Sequence, residues 1–235
     1  MTLNQQIEQW LGERLLVFSQ ADRPFVTLSY AQSWDGSITL RSGKSLALSG
    51  DESACLTHQL RSLHTGILVG IGTVLSDDPR LNVRLCAGPD PQPIVLDAHL
   101  RFPPSARLCH LPDKRCWVLT SAGTNVPHAA NLEIIRLPGD SEGRVCLIAA
   151  LQELKKRGID SLMVEGGAKV ISAFLSHKLV DAMVVTVAPR LVGGYKAVTD
   201  LGFDTVLELP EISPWHSGRL GEDLIMWGDV RYQTT

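Results

Sequence analysis

The sequence predicts an α/β fold: a mostly parallel central sheet flanked by helices, with antiparallel strands at its C-terminal end. Three observations lead there. Short apolar runs alternate with stretches of helical periodicity through most of the 235 residues, the pattern of parallel strands joined by helical crossovers. The run Ser161-Leu162-Met163-Val164 passes through Glu165-Gly166-Gly167 into Val170-Ile171-Ser172-Ala173-Phe174-Leu175, which reads as buried strand, tight turn and helix. From Phe203 to Tyr232 the chain changes to turn residues and short β-prone pieces such as Leu224-Ile225-Met226-Trp227, as antiparallel edge strands require.

Taken in order, Leu3, Ile7, Trp10, Leu11 and Leu15 recur at helical spacing and predict an amphipathic helix over 3–18, ended by Asp22-Arg23-Pro24. Phe25 to Ala31 is the first core strand, and Asp35-Gly36 marks a turn. Arg41-Ser42-Gly43-Lys44-Ser45 resembles half of a phosphate loop, but Ile38 stands where a Walker A motif needs its first glycine, so that reading is rejected. Ser49 and Glu52 have the spacing of a capping box and open a helix that runs to about His64, where Gly66 stops it. Leu56, Leu60 and Leu63 share one face of that helix. Arg61 points elsewhere, near a C-terminus whose dipole favours a cation, and on physics alone reads as a solvated charge.

The next apolar piece, Leu68-Val69, opens into Gly70-Ile71-Gly72 and then a compact polar loop reaching Arg84. Further strands are expected at 93–98, 115–120 and 132–137. A helix follows over 144–158, with Leu147, Leu151 and Leu154 on one face, and Asp181 to Ala188 is a strand ended by Pro189. No internal repeat or low-complexity linker interrupts the chain, so one domain is expected.

A net charge of −3 argues against a nucleic-acid surface, which needs clustered Lys and Arg. Cys55, Cys86, Cys109, Cys116 and Cys146 are odd in number and scattered without a C-x-x-C pair. They read as reduced thiols of a cytoplasmic protein rather than a disulfide framework or zinc site. No metal site is expected, because no ligand-spaced His, Cys and Asp set is visible. No apolar stretch approaches the roughly 20 residues of a membrane span, and the N-terminus lacks the charged start and apolar core of a signal peptide.

Two segments carry the chemistry. The Gly166-Gly167 turn lets backbone approach a ligand closely, and the unpaired N–H groups of the following helix start can hold phosphate oxygens. Glu165 falls at the carboxyl end of its strand, where α/β proteins place their chemistry; a βα turn also needs glycine simply to reverse direction. In the second segment, Leu75 stands where G-x-G-x-x-G requires its third glycine, so the sequence departs from a standard dinucleotide fingerprint. Asp77, Asp78, Arg80 and Arg84 look instead like a site for a phosphorylated, hydrogen-bonding small molecule, since guanidinium forks match phosphate oxygens. A solvated loop closed by Asp78-Pro79 is the alternative.

With these pieces placed, the chain resembles the reductase half of the riboflavin-biosynthesis enzymes. The resemblance is carried by Arg23-Pro24-Phe25-Val26-Thr27-Leu28, Ser33-Trp34-Asp35-Gly36, Leu60-Arg61-Ser62, Gly70 through Pro79 with Leu81 and Arg84, Glu165-Gly166-Gly167, and Leu179-Val180-Asp181 leading to Ala188-Pro189. It covers roughly residues 23–230 in order. Residues 1–22 then form an N-terminal helical extension and 23–235 the reductase domain.

The resemblance implies a dihydrofolate-reductase-like fold and NADPH-dependent reduction of the ribosylamino side chain of a phosphorylated aminopyrimidine to ribitylamino. By motif position, Ala31, Ala47, Gly70, Thr73 and Asp77, with the helix start Gly166, Gly167, Ala168, Lys169 and Val170, resemble cofactor contacts. Ser45, Arg61, Leu81, Arg84 and Glu165 resemble substrate contacts, Arg61 and Arg84 as a phosphate clamp and Glu165 as the catalytic candidate. Arg61 thereby changes from solvated charge to ligand. Thr120 and Ser121 are candidate donors to the cofactor's 2′-phosphate. Ala47 stands where relatives often carry a large aromatic. The H-x-E and P-C-x-x-C signature of the deaminase half is absent, so the resemblance assigns deamination to another protein. It also implies a homodimer, which would bury the apolar Asp181–Ala188 strand and the Leu224–Trp227 piece, although the helix over 3–18 could cover them within one chain. A reductase of another pyrimidine, pterin or dihydrofolate-like substrate, and a non-catalytic nucleotide-binding protein on the same fold, remain as other readings.

Overall fold

The computed structural model describes residues 1–18, 22–41, 46–123 and 131–233. Eleven strands and five α-helices are found there. In chain order they are α1 (Leu3–Phe18), β1 (Phe25–Ser33), β2 (Ser37–Thr39), α2 (Asp51–Ser62), β3 (Gly66–Gly70), α3 (Ile71–Asp77), β4 (Gln92–Leu96), β5 (Cys116–Thr120), β6 (Leu132–Arg136), α4 (Leu147–Lys156), β7 (Ser161–Val164), α5 (Ala168–Ser176), β8 (Ala182–Ala188), β9 (Tyr195–Lys196), β10 (Glu211–Leu220) and β11 (Asp223–Arg231).

Nine strands form one sheet in the order β10-β11-β8-β1-β7-β3-β4-β5-β6. From β8 to β6 every pairing is parallel, and only β11 on β8 and β10 on β11 run antiparallel. The expected mixed sheet is therefore the one observed. Strand residues alternate between two covered faces. Val26, Leu28, Leu162 and Val164 point into a core closed by α4 and α5, with Leu151, Leu154, Ile171 and Phe174 as its centre. Phe25, Met163 and Val184 point the other way, against α1 and α2 through Ile7, Leu11, Leu56 and Leu60. Because β1, β3, β4 and β7 are parallel, their carboxyl ends meet along one edge of the sheet, and the crevice there receives the βα turns.

Three expectations change. The capping box at Ser49 is not made: α2 starts after Gly50 without a side-chain cap from its own segment. Asp223, at the start of β11, takes that role, accepting from the Gly50 N–H at 2.9 Å and from Ser53 Oγ at 2.6 Å. A carboxylate 173 residues away displaces the local cap. The polar loop expected after Gly72 is instead α3, because Ile71 and Val74 sit one turn apart and bury together. The C-terminal pieces form a long hairpin, of which β10 is the edge and β11 lies inside the sheet.

Helix α1 is docked on that hairpin. Asp229 on β11 accepts from Trp10 Nε1 at 3.2 Å and from Arg14 Nε and Nη2 at 2.9 and 3.2 Å. Ile225 and Trp227 are buried beneath it. Of the two ways to cover the C-terminal strands, α1 supplies one within the single chain.

Candidate active site

The crevice at the carboxyl ends of β1, β3 and β7 is a cavity of about 1110 Å³. One wall is the β7–α5 turn. The Glu165 N–H still pairs with the sheet, donating to the Leu68 carbonyl at 3.0 Å, and its side chain then enters the cavity. A Cβ at Gly166 would overlap the Val170 side chain, so only glycine lets the first turn of α5 fold back this tightly. Gly167 differs. It is the N-cap residue with φ −75°, no side chain caps the helix, and a Cβ there would meet nothing within 4 Å. The Val170 and Ile171 N–H groups bond the Gly167 carbonyl, which leaves those of Ala168 and Lys169, at the very start of α5, to face a ligand.

The centre of the cavity is an ion pair. Arg61 Nε donates to Glu165 Oε1 and Nη2 to Oε2, both at 2.7 Å, and Nη1 donates to the Asn82 carbonyl at 3.0 Å. Arg61 is only 9% exposed, which corrects its reading as a solvated charge. Burial pulls its pKa down, and the bonds and charge of Glu165 more than offset this, leaving it raised. Of five guanidinium N–H donors, three are used and two are left for a ligand.

Arg84 stands on the exposed rim beyond this pair. Partial desolvation, then the neighbouring charges of Arg61 and Arg80, hold its pKa below the usual value. Arg61, Arg80 and Arg84 thus act on one corner, with Glu165 and, behind Val83, Asp90 as carboxylates, a balance that favours an anion. Leu81 joins them at φ 55°, an uncommon backbone state for a non-glycine residue and one that clusters at ligand sites.

The structure gathers most of the residues picked from sequence. Ala31 lines the cavity at the end of β1, Gly70, Thr73 and Asp77 along β3 and α3, and Gly166 to Val170 at the start of α5, with Arg61, Leu81 and Glu165 opposite. Ala47 is exposed and lies outside the wall, where its neighbour Leu46 stands. Ser45 lies outside the described residues. Thr120 and Ser121 face elsewhere: both hydroxyls donate to the Ala98 carbonyl, at 3.2 and 3.4 Å, and Ser121 also to the Gly143 carbonyl. His99 and Arg101 line the cavity at that end instead.

Sequence reasoning missed a flap. Strands β2 and β9 pair into a small second sheet that brings Ile38, Thr39, Tyr195 and Lys196 into the cavity wall. Asp35 ties the flap together, accepting from Lys196 Nζ at 2.6 Å, from Ser33 and Ser37 Oγ at 2.6 and 2.7 Å, and from the Val192 and Gly193 N–H groups. Lys196 foremost, with these donors, holds its carboxyl well below the usual carboxylate range. Asp35-Gly36 signalled only a turn; nothing local says that three of its partners, Val192, Gly193 and Lys196, lie 157 and more residues away.

The cavity exceeds the roughly 300–1,000 Å³ of a single small-molecule site and reaches from the Arg61–Glu165 pair to Arg101. Among the described residues no group of three or more His, Cys, Asp or Glu side chains is placed to hold a metal, and no helix is long and apolar enough to cross a membrane.

The family model of the RibD C-terminal domain matches residues 24–226. The 2,5-diamino-6-ribosylamino-4(3H)-pyrimidinone 5′-phosphate reductase of Methanothermobacter thermautotrophicus is 36% identical over 212 residues, covering 87% of this chain and 97% of that protein. The riboflavin biosynthesis protein RibD of Aquifex aeolicus is 31% identical over 221 residues, 92% of this chain. The match spans only 61% of that longer protein. Among solved structures, the riboflavin biosynthesis reductase Rib7 of Saccharomyces cerevisiae superposes with a TM-score of 0.77 at 26% identity, covering 96% of this chain and 99% of that one. RibD of Acinetobacter baumannii gives 0.77 at 27% identity, with 90% and 59% covered.

Proposed function

We propose, for a chain that belongs to the RibD C-terminal domain family, that it is an oxidoreductase of riboflavin biosynthesis. It reduces the ribosylamino side chain of a phosphorylated aminopyrimidine to ribitylamino, with NADPH as the reductant. The observation that carries this reading is the Arg61–Glu165 pair inside a cavity large enough for two ligands. It agrees with the names of relatives whose whole length this chain covers.

A bound nicotinamide dinucleotide supplies the hydride. The chain's own residues do the rest. The glycine turn and the α5 N–H groups seat a pyrophosphate, and Arg101, which lines the cavity with its Nε 3.9 Å from Asp97, is a cation available to a 2′-phosphate. The two unused N–H donors of Arg61, with Arg84, hold the substrate phosphate or sugar. Reduction requires the sugar to open to an imine; hydride goes to C1 and a proton to nitrogen. Glu165 has both oxygens bonded to Arg61. We therefore assign it to stabilising positive charge on the imine and orienting the substrate, and the proton to water or to the substrate's own hydroxyls. Ordered positioning of this kind supplies much of a reductase's rate.

Residues 23–235 are the reductase domain in this reading, and 1–22 an extension whose helix α1 packs onto it. Two copies pair through the exposed edge of β10, where Trp215 is 59% exposed. The five free thiols suit a reducing, cytoplasmic compartment. The test is incubation with NADPH and the ribosylaminopyrimidine phosphate, read by mass spectrometry of the pyrimidine. A gain of two hydrogens supports the reading. Binding of NADPH with no product, or reduction of dihydrofolate alone, overturns it.

A further inference from the structure

Residues 78–91 run past the cavity without helix or strand; Leu81 lines it, the Asn82 carbonyl bonds the lining Arg61, and Arg84 lies outside the wall within reach of the charges of Arg61 and Glu165. Its ends are fixed by Asp78, which accepts from the Arg107 N–H, and by Asp90, whose carbonyl accepts from Lys114 Nζ, and its middle by three bonds. The Asn82 carbonyl accepts from Arg61 Nη1 at 3.0 Å, the Val83 N–H donates to Asp90 Oδ1 at 2.7 Å, and the Arg84 N–H donates to His58 Nδ1 at 3.0 Å. The first and last tie residues 82–84 to α2; further along, the Cys86 side chain bonds Ser62 of the same helix. His58 and Arg61 sit three residues apart on that helix and therefore on one face. His58 is 3% exposed and does not line the cavity.

A backbone N–H can only donate, so Nδ1 of His58 must carry a lone pair. The ring is therefore neutral with its proton on Nε2. Burial, then the charges of Arg61 and Arg84, disfavour the imidazolium and pull the pKa down to about 4. We infer that His58 is a positioning residue: its Nδ1 anchors the Asn82–Arg84 turn, so that the Asn82 carbonyl orients Arg61 and the Arg84 guanidinium meets the substrate's anionic group. The inference rests on the reading that Arg84 contacts a phosphorylated substrate. Its physical content is that without the His58 bond residues 82–84 keep only the Asn82 tie to α2, so Arg84 loses its place, while the cofactor's side of the cavity, built from β3, α3 and α5, does not.

The test compares His58→Asn, His58→Gln and His58→Leu, with Arg84→Ala as a control. Asn offers an acceptor close to the place of Nδ1, Gln offers one nearer the place of Nε2, and Leu offers none. Substrate KM, kcat and NADPH dissociation constant are measured, together with hydrogen exchange of the Arg84 amide. Losing one hydrogen bond corresponds to a rise in substrate KM of roughly 3- to 10-fold. That rise is expected for Leu and Gln, with kcat and NADPH affinity unchanged, faster exchange at Arg84, and return to the parent values in Asn. If Arg84→Ala raises the KM and the Leu and Gln variants do not, the inference is wrong and the phosphate reading stands. Equal effects of Asn and Gln also overturn it, since position of the acceptor then does not matter. An unchanged KM in Arg84→Ala removes the reading and the inference together.

Discussion

Replacing Glu165 by Gln tests whether the Arg61–Glu165 pair belongs to stability or to function. The two bonds are 2.7 Å each, and the side chains are 11% and 16% exposed. Removing one partner of a fully buried pair costs about 3–5 kcal/mol, because the other charge is left uncompensated. Arg61 keeps its bond to Asn82, and the cavity admits water, so the lower end applies: about 3 kcal/mol, or roughly a 100-fold loss in the folding constant. For a chain of this size that corresponds to a fall of about 6–12 °C in the melting temperature. The assay is urea unfolding followed by tryptophan fluorescence, run on Glu165→Gln and on the double variant Arg61→Met with Glu165→Leu. Exchanging a buried pair for apolar groups is often neutral or stabilising, so the double variant should regain most of the stability and remain without reductase activity. Glu165→Gln as stable as the parent would refute the burial argument. A double variant that turns over substrate would refute the functional one.

Three further outcomes follow from the same structure. Gly167→Val should weaken NADPH binding at least tenfold, measured by fluorescence titration, while leaving the melting temperature within about 2 °C, because φ −75° suits any residue and no protein atom blocks the new Cβ; equal loss of stability and binding would contradict it. His64 is fully enclosed, its Nδ1 donating to the Leu60 carbonyl and its Nε2 accepting from Thr27 Oγ1, and burial pulls its pKa from 6.5 to about 4. The unfolded chain then takes up the proton first, so stability is full above pH 6.5 and falls between 6.5 and 4 by up to about 3 kcal/mol. His64→Gln should flatten that slope in pH-dependent melting. Deleting residues 1–18 strips Ile7, Trp10 and Leu11 from the core, at about 1.5–3 kcal/mol per side chain, a sum comparable with total stability. The truncated chain should be unfolded or insoluble, and a folded, active product in sedimentation and assay would make α1 peripheral.

Elements with strong period were legible in the sequence: α1 and β7 fall on the expected residues because their apolar spacing leaves one solution. Features set by distant partners were not. The cap of α2 comes from Asp223, the flap is held by Asp35, between β1 and β2, accepting from the loop before β9, and β11 lies inside the sheet because β10 and β8 pair with its two edges. Arg61 shows the limit most clearly. Its place near a helix end suggested solvent, and only the fold brings Glu165 across 104 residues to bury it. The glycine turn was visible as a turn. That Gly166 makes room for Val170 while Gly167 opens on the cavity requires coordinates.

The central claim is hydride delivery to the sugar carbon of a phosphorylated aminopyrimidine, and isotope transfer tests it most directly. The enzyme is incubated with that substrate and NADPH deuterated at the transferable position, and the product is read by NMR. The account predicts deuterium at C1 of a newly formed ribityl chain. Label on the pyrimidine ring, or no label in the product at all, would contradict it.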